Sequence, residues 1–452
     1  LRRFLQVCAG AFVLVVFAVL GVLAINLPDR DLTDAARAWL RPLSAKPQGD
    51  GAMSLWALDA PAGVDPAQAG RAVIEAYRAR EPVAATTGDW GSARPYTQEA
   101  LVLPIELGCV DPASACVASA LGHSHLVREL AQKRAALLQR IDALDAEATV
   151  AEALPPSEPN APSAQFATLV AAQSLSLALA AVDVGDGKLD VGLPRLERMT
   201  RVARKLLAGC QTLACKATST GMLRRALLVY SELINQTPAA AALANSLARV
   251  NAPMTPAERD LSSPLAFEMQ IAWHLDQALV HARPTPSDPL AQRIALMAAP
   301  LLFRPQATFN LQATLADLEK PLATADAKAF AREGDAVMKQ FRDQAEDIGH
   351  IGVLSLYNPL GRVLAAGLPD ITGIASQLHD VEVLQEAMRA KVLLLAAHQG
   401  AAGASDFLAR KPEGVADPYS GNAFQWDAAL ASIVLPQKGS RPVSKLRVVL
   451  AS

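Results

Sequence analysis

Five cysteines and seven histidines carry most of the chemistry open to this 452-residue chain. Cys109/Cys116 and Cys210/Cys215 form two close pairs, while Cys8 stands alone inside an apolar run. Thiols paired at such short range either oxidise to local disulfides or ligate zinc as thiolates. A zinc site would have to draw on His123 and His125, and the spacings do not fit structural zinc frameworks apart from the loose Cys210-x4-Cys215. Two local disulfides, Cys109–Cys116 and Cys210–Cys215, are the default connectivity, because the chain already holds each pair close. In an unbroken helix, Cα atoms five residues apart lie more than ~7 Å from each other on diverging faces. A Cys210–Cys215 bond therefore requires the helix to break over Cys210-Gln-Thr-Leu-Ala-Cys215, the turn of a helical hairpin.

The remaining constellations are weaker. His274 and His281 share a helix face with Glu268 and Asp276 nearby, but a metal needs further ligands from a second helix, and nothing specifies one. His379-x-x-Glu382 lacks the second histidine of helical zinc-protease motifs and reads as a solvated helix face. Asp183-Val-Gly-Asp186-Gly-Lys-Leu-Asp190 resembles a calcium loop, yet neither reading frame supplies the required oxygens, and a turn between helices is expected. There is no G-x-S-x-G elbow, S-x-x-K or H-E-x-x-H, which lowers the case for an enzyme. No cofactor is indicated.

The elements that must position these residues are helices. Alanine and leucine dominate, and β-branched runs are rare before the final residues, so the fold class is all-α. A net charge of −2 leaves no basic field for nucleic acid, and 5% aromatic content offers little for stacking sugars or bases. Phe4 to Ile25 is an unbroken apolar run spanning roughly 33 Å as a helix, enough for a bilayer core of ~30 Å. Arg2 and Arg3 precede it, so the positive-inside rule leaves residues 1–3 as a cytoplasmic stub and exports the bulk. A signal peptide cleaved near Val22-Leu23-Ala24 is the competing reading, but its apolar core would run only about 7–15 residues. The expected topology is a single-pass inner-membrane protein with a periplasmic body, an oxidising setting that suits the cysteine pairs.

Beyond the span, residues 26–153 form a membrane-proximal helical region, with Met53 to Leu58 as an extended segment and one long helix from about 112 to 153. Residues 154–162, Leu154-Pro-Pro-Ser-Glu-Pro-Asn-Ala-Pro162, cannot be helical and form a linker or loop. Residues 163–416 alternate helices with short turns, as an irregular array of helical hairpins. Thr255-Pro256-Ala257-Glu258 combines a capping box with proline at the first helical position. Residues 417–452 form a small β-hairpin tail after the turn Asp417-Pro418-Tyr-Ser-Gly421 and Phe424-Gln-Trp426.

Several short segments are similar to a group of uncharacterised single-pass, membrane-anchored periplasmic helical proteins of gammaproteobacteria. They are the Cys109–Cys116 stretch with its following helix, Leu196-Glu-Arg with Lys205-Leu-Leu, and Asn310-Leu-Gln-Ala-Thr-Leu315. Tyr357-Asn358-Pro359-Leu-Gly361 and Asp417-Pro418-Tyr-Ser-Gly421 with Phe424 and Trp426 complete the set. The resemblance implies an architecture and no reaction. Asn358-Pro359 and Gly361 are read as a structural turn, because Asn-Pro starts turns and glycine admits close backbone packing. The expected function is association with another envelope or periplasmic protein, as an assembly factor or toxin-immunity protein. The alternative is an anchored hydrolase acting on cell wall or lipid.

Overall fold

The computed structural model describes residues 12–14, 16, 17, 20–43, 49–79, 103, 104, 116–152, 164–284, 286, 289–350, 356–368, 370–398, 400–436, 438 and 445–447. They form a largely helical body with a small antiparallel sheet near the C-terminus. Short helices come first: α1 Asp34–Trp39, α2 Asp50–Trp56 and α3 Pro66–Arg78. Next are α4 Cys116–Gly122, α5 Ser124–Lys133, α6 Ala135–Leu144, α7 Phe166–Gly185, α8 Leu189–Gly209 and α9 Leu213–Gln236. The chain continues through α10 Ala240–Val250, α11 Pro256–Arg259, α12 Ser262–His281, α13 Leu290–Leu302, α14 Pro305–Ala323 and α15 Ala327–Gly349. Helices α16 Pro359–Ala366, α17 Thr372–Ala396 and α18 Ala401–Ala409 precede β1 Gln425–Asp427, β2 Ser432–Val434 and β3 Lys445–Arg447.

One apolar core runs through the body, from Ala36 and Trp39 in α1 to Ile433 and Leu435 beside the sheet. Its centre is α7, whose Leu169, Leu175, Leu177 and Val182 are fully buried. Helices α4, α5, α6, α8 and α9 all pack on α7. A helix covered on every side reads as apolar all round, with no polar stripe. This explains a correction to the expected topology. Among the described residues, the helix long and apolar enough to cross a membrane is α7, mid-chain, with 78% of its apolar window buried. No N-terminal span is found among those residues, so the expected N-terminal transmembrane helix, and the single-pass inner-membrane topology with an exported body, are not supported. Part of Phe4–Ile25 lies outside the described residues; the described portion is helical and mostly exposed.

Three local expectations also change. Residues 50–56 are helical rather than extended, and α2 lays Leu55 and Trp56 into the interior. The long helix expected over 112–153 is three helices in the described part, broken at His123 and Arg134. Each break lets the chain turn and keep Val117, Val127 and Ile141 buried. The sheet has three antiparallel strands in the order β1-β2-β3, with Trp426 opposite Ile433 and Ile433 opposite Leu446. The proline-rich stretch 154–162 lies outside the described residues.

The disulfide Cys210–Cys215 is present, with Cα atoms 5.4 Å apart. Helix α8 ends at Gly209 and α9 begins at Leu213, so the chain breaks where the bond requires it. Thr212 caps α9, its hydroxyl accepting from Cys215 N at 3.0 Å. A side chain at Gly209 would stand 2.0 Å from Val150 O, so the strand of chain bearing Glu152 can cross this corner only at glycine. Cys116 is also disulfide-bonded, while Cys109 lies outside the described residues.

Replacing Cys210 and Cys215 together with serine removes a six-residue loop constraint, for which the chain-entropy relation gives about 2 kcal/mol. Urea unfolding of the non-reduced double variant should lose about that much; an unchanged midpoint would show that the corner is held without the bond.

Candidate functional site

The corner that carries the disulfide also gathers buried acids. Glu152 accepts from Thr212 N at 3.1 Å and from the Thr212 hydroxyl at 2.9 Å. Glu268 accepts from Leu213 N at 3.3 Å. Burial pushes the Glu152 carboxyl up to about 7, against the pull of its hydrogen bonds, and raises Glu268 as well. These carboxylates take up the free N–H groups at the start of α9, where a helix has no internal acceptors.

Other buried ionisable groups are held in the same way. Glu232 accepts from Val117 N at the start of α4, and Glu319 accepts from Ile371 N at the start of α17. Burial lifts Glu319 to about 8, and Asp276, beside Gln312, to about 8. Lys391 is lowered to about 7 by burial, and it donates to Ser231 O, the Ser231 hydroxyl and Asn235 Oδ1 at 2.7–2.9 Å. Lys216 donates to the carbonyls of Ala257 and Glu258. The Tyr230 hydroxyl meets Ser246 Oγ at 2.9 Å, and that hydroxyl donates to Glu197 at 2.7 Å. Each group answers a backbone or side-chain partner of the fold.

The residues singled out in the sequence are mostly kept apart. Glu268 is drawn to α9 and Asp276 is buried facing Gln312 of α14, while His274 is half-buried and His281 exposed. Among the described residues no three His, Cys, Asp or Glu side chains come together as a metal site. His379 and Glu382 are buried rather than solvated: His379 Nδ1 lies 2.8 Å from Glu382, which also pairs with Arg259 at 3.0 Å. They face inward because α17 is covered by α9, α10, α14 and α15. Asp183 pairs with Arg195 at 2.7 Å, and Asp186 with Arg128 and Lys188, so the Asp/Gly stretch is an ion-paired corner between α7 and α8. Asp417 accepts from Tyr419 N and Ser420 N, followed by Gly421 at φ +70°, and the Tyr419 hydroxyl donates to Asp380 at 2.7 Å. Pro418 is half-buried within this turn, and Trp426 lies in β1.

Asn358 sits at the centre of a polar knot. It takes the left-handed conformation (φ 53°) ahead of Pro359, the first residue of α16. Its amide N–H donates to Asn26 Oδ1 at 2.6 Å, and Asn26 Nδ2 donates to Leu356 O at 2.7 Å. The side chain of Asn358 accepts from Arg304 N and donates to the Thr308 hydroxyl. Gly361 lies against this knot: a Cβ there would be 1.9 Å from Thr308 Oγ1 and 2.3 Å from the Asn358 amide. From Asn26 the chain runs along α14. Asp29 accepts from Gln306 N and Ala307 N, Asn310 exchanges hydrogen bonds with Thr33 N and Asp31 O, and Trp39 donates to Asp317.

An exposed apolar face begins beside the knot. Leu290, Ile294, Met297 and Leu301 of α13 are 71%, 54%, 59% and 49% exposed. Their spacing of four, three and four residues places them on one side of the helix. Helix α16, packed on α13, adds exposed Val363 and Leu364. Ile25 and Leu27, on either side of Asn26, are exposed too.

Sequence reading missed Glu152, Glu319 and Asn26, whose neighbours give no local signal. Lys391 did have one, a lysine set among Ala390, Val392 and Leu393. Comparison with protein families, with curated proteins and with solved structures finds no match for this chain.

Gly361→Ala should destabilise the protein by about 3 kcal/mol, the scale of an overpacked site. Gly221→Ala, where an added Cβ meets nothing within 4 Å, should be neutral or stabilising by up to about 1 kcal/mol. Equal unfolding midpoints for the two variants would remove the knot as a structural requirement.

Asp276 and Glu319 have folded pKa values raised by burial to about 8, from ordinary values of 3.8 and 4.5. Their contribution is fully present below the unfolded values and is lost as pH rises towards 8, where the folded state must ionise buried carboxyls. The thermal midpoint of wild type minus that of Glu319→Gln should therefore fall between pH 5 and pH 8.5. A difference that is constant or grows over that interval contradicts the assignment.

Proposed function

We propose that this protein works by binding another protein rather than by catalysis, and that it folds in an oxidising compartment. The observation that supports the binding reading is the α13 face, where four large apolar side chains stand in solvent at helical spacing. Contiguous exposed apolar surface on a folded domain marks association sites. The described buried acids, by contrast, are engaged with helix starts or with side chains of the fold, which weakens a hydrolase reading that needs carboxylates free to move protons. The Cys210–Cys215 bond and the oxidised Cys116 support the compartment.

The occupant of the α13 face is taken to be a different protein and not a second copy. Arg293, within the stripe, and Arg304, at its end, have no carboxylate partner among the described residues. Two such faces brought together would set like charges against each other.

A photo-reactive side chain in place of Met297, installed in the full chain and irradiated in the source cell, should give a discrete heavier adduct. The same group in place of the exposed Arg332 on α15 serves as control and should give none. Adducts at both positions alike, or at neither, would count against α13 as the working surface.

A further inference from the structure

The geometry points to an acidic amphipathic helix as the segment that docks on the α13–α16 face. This inference rests on the binding reading above and adds the partner's shape and charge. The shape follows from the stripe. Leu290 to Leu301 covers about 16 Å of helix at 1.5 Å per residue, one residue wide, with α16 alongside contributing Val363 and Leu364. A narrow apolar ridge beside a second helix is complementary to the apolar stripe of a third helix, the common helix-on-helix mode of recognition.

The charge follows from the arginines around it. Arg293 lies within the stripe, exposed, and its guanidinium makes no hydrogen bond or ion pair among the described residues. Arg304 closes the C-terminal end, its Nη1 donating to the carbonyls of Pro300 and Phe303. Arg362, next to Val363 on α16, donates through Nη2 to Asp347 O of α15. Arg293 within the stripe and Arg304 at its end have no carboxylate partner among the described residues, so an acidic partner complements the charge beside the apolar surface.

The test uses the full chain and two labelled model helices of identical pattern, one of leucine and glutamate, the other of leucine and lysine, followed by fluorescence anisotropy at low salt. The Leu/Glu helix should bind wild type, and the Leu/Lys helix should bind at least fivefold more weakly. Arg293→Glu reverses an exposed charge that holds no fold contact, and it should narrow that preference about fivefold. Met297→Glu puts a charge into the apolar contact and should weaken the Leu/Glu helix about tenfold or more. Circular dichroism of both variants checks that they stay folded. Equal binding of the two helices, or no effect of Met297→Glu, overturns the inference. So does binding to phosphatidylglycerol vesicles in the absence of any Leu/Glu helix binding, since that outcome assigns the face to a lipid surface. If photo-adducts still form at position 297 while the Leu/Glu helix fails to bind, the partner's assigned chemistry is wrong and the binding reading stands.

Discussion

Four helix starts in this protein are met by carboxylates brought from far along the chain. The first turns of α4, α9, α14 and α17 receive Glu232, Glu152 with Glu268, Asp29 and Glu319 respectively. A helix leaves its first N–H groups without internal acceptors, and burying them unpaired is costly. Local capping residues usually meet that demand, as Thr255 and Glu258 do at α11. Where the acceptor comes from a distant segment, the same hydrogen bond also fixes how two elements sit relative to one another. The capping of α9 by Glu152 is therefore a tertiary constraint, and it is shared with the disulfide that closes the same corner. Burial raises the carboxyls of Glu152, Glu232, Glu268 and Glu319 above the ordinary carboxylate range, against the pull of their N–H partners.

The Asn26–Asn358 knot applies the same principle without charge. Asparagine offers a donor and an acceptor on one short side chain, so each residue can hold a backbone group of a foreign segment while engaging another. Asn358 uses its backbone N–H on Asn26 and its side chain on Arg304 N and Thr308, leaving its left-handed backbone over-determined by its surroundings. Gly361 must be bare to let Thr308 approach. The consequence reaches the surface: the end of α13, the start of α16 and the chain at Asn26 are fixed to one another, so the exposed residues they carry keep a constant arrangement.

Much of this was legible from residue types. The helical class, the break forced by Cys210–Cys215, the capping box at Thr255 and the turn at Asp417 all rest on local chemistry, and local chemistry is written in neighbouring residues. The single long helix over 112–153 failed because a 3.6-residue period says which side of a helix is apolar, not whether it bends to follow a partner; His123 and Arg134 break it as α4 to α6 wrap around α7. The extended reading of Met53–Leu58 failed for a related reason, since its residues suit a short buried helix as well as a strand. His379 and Glu382 read as solvated because charged residues usually are, and only the helices covering α17 reveal an ion-paired interior set. Glu152 and Asn26 had no chance of being found, as their partners lie 60 and 332 residues away.

Two strongly apolar helices make the remaining point. Helix α7 carries leucine, alanine and valine on all sides and is buried on all sides, so its hydropathy is accounted for by the five helices around it. Helix α13 is denser still in leucine, isoleucine and methionine, yet only Leu296 and Ala299 of its described side chains are buried, while four large residues face out. Composition records how much apolar surface a segment owns; the fold decides how much of it other segments cover. What is left over on α13 is bordered by arginines that no described carboxylate answers. Exposed guanidinium groups at the rim are hydrated in the free protein, and an acidic surface arriving with an apolar one would complement them.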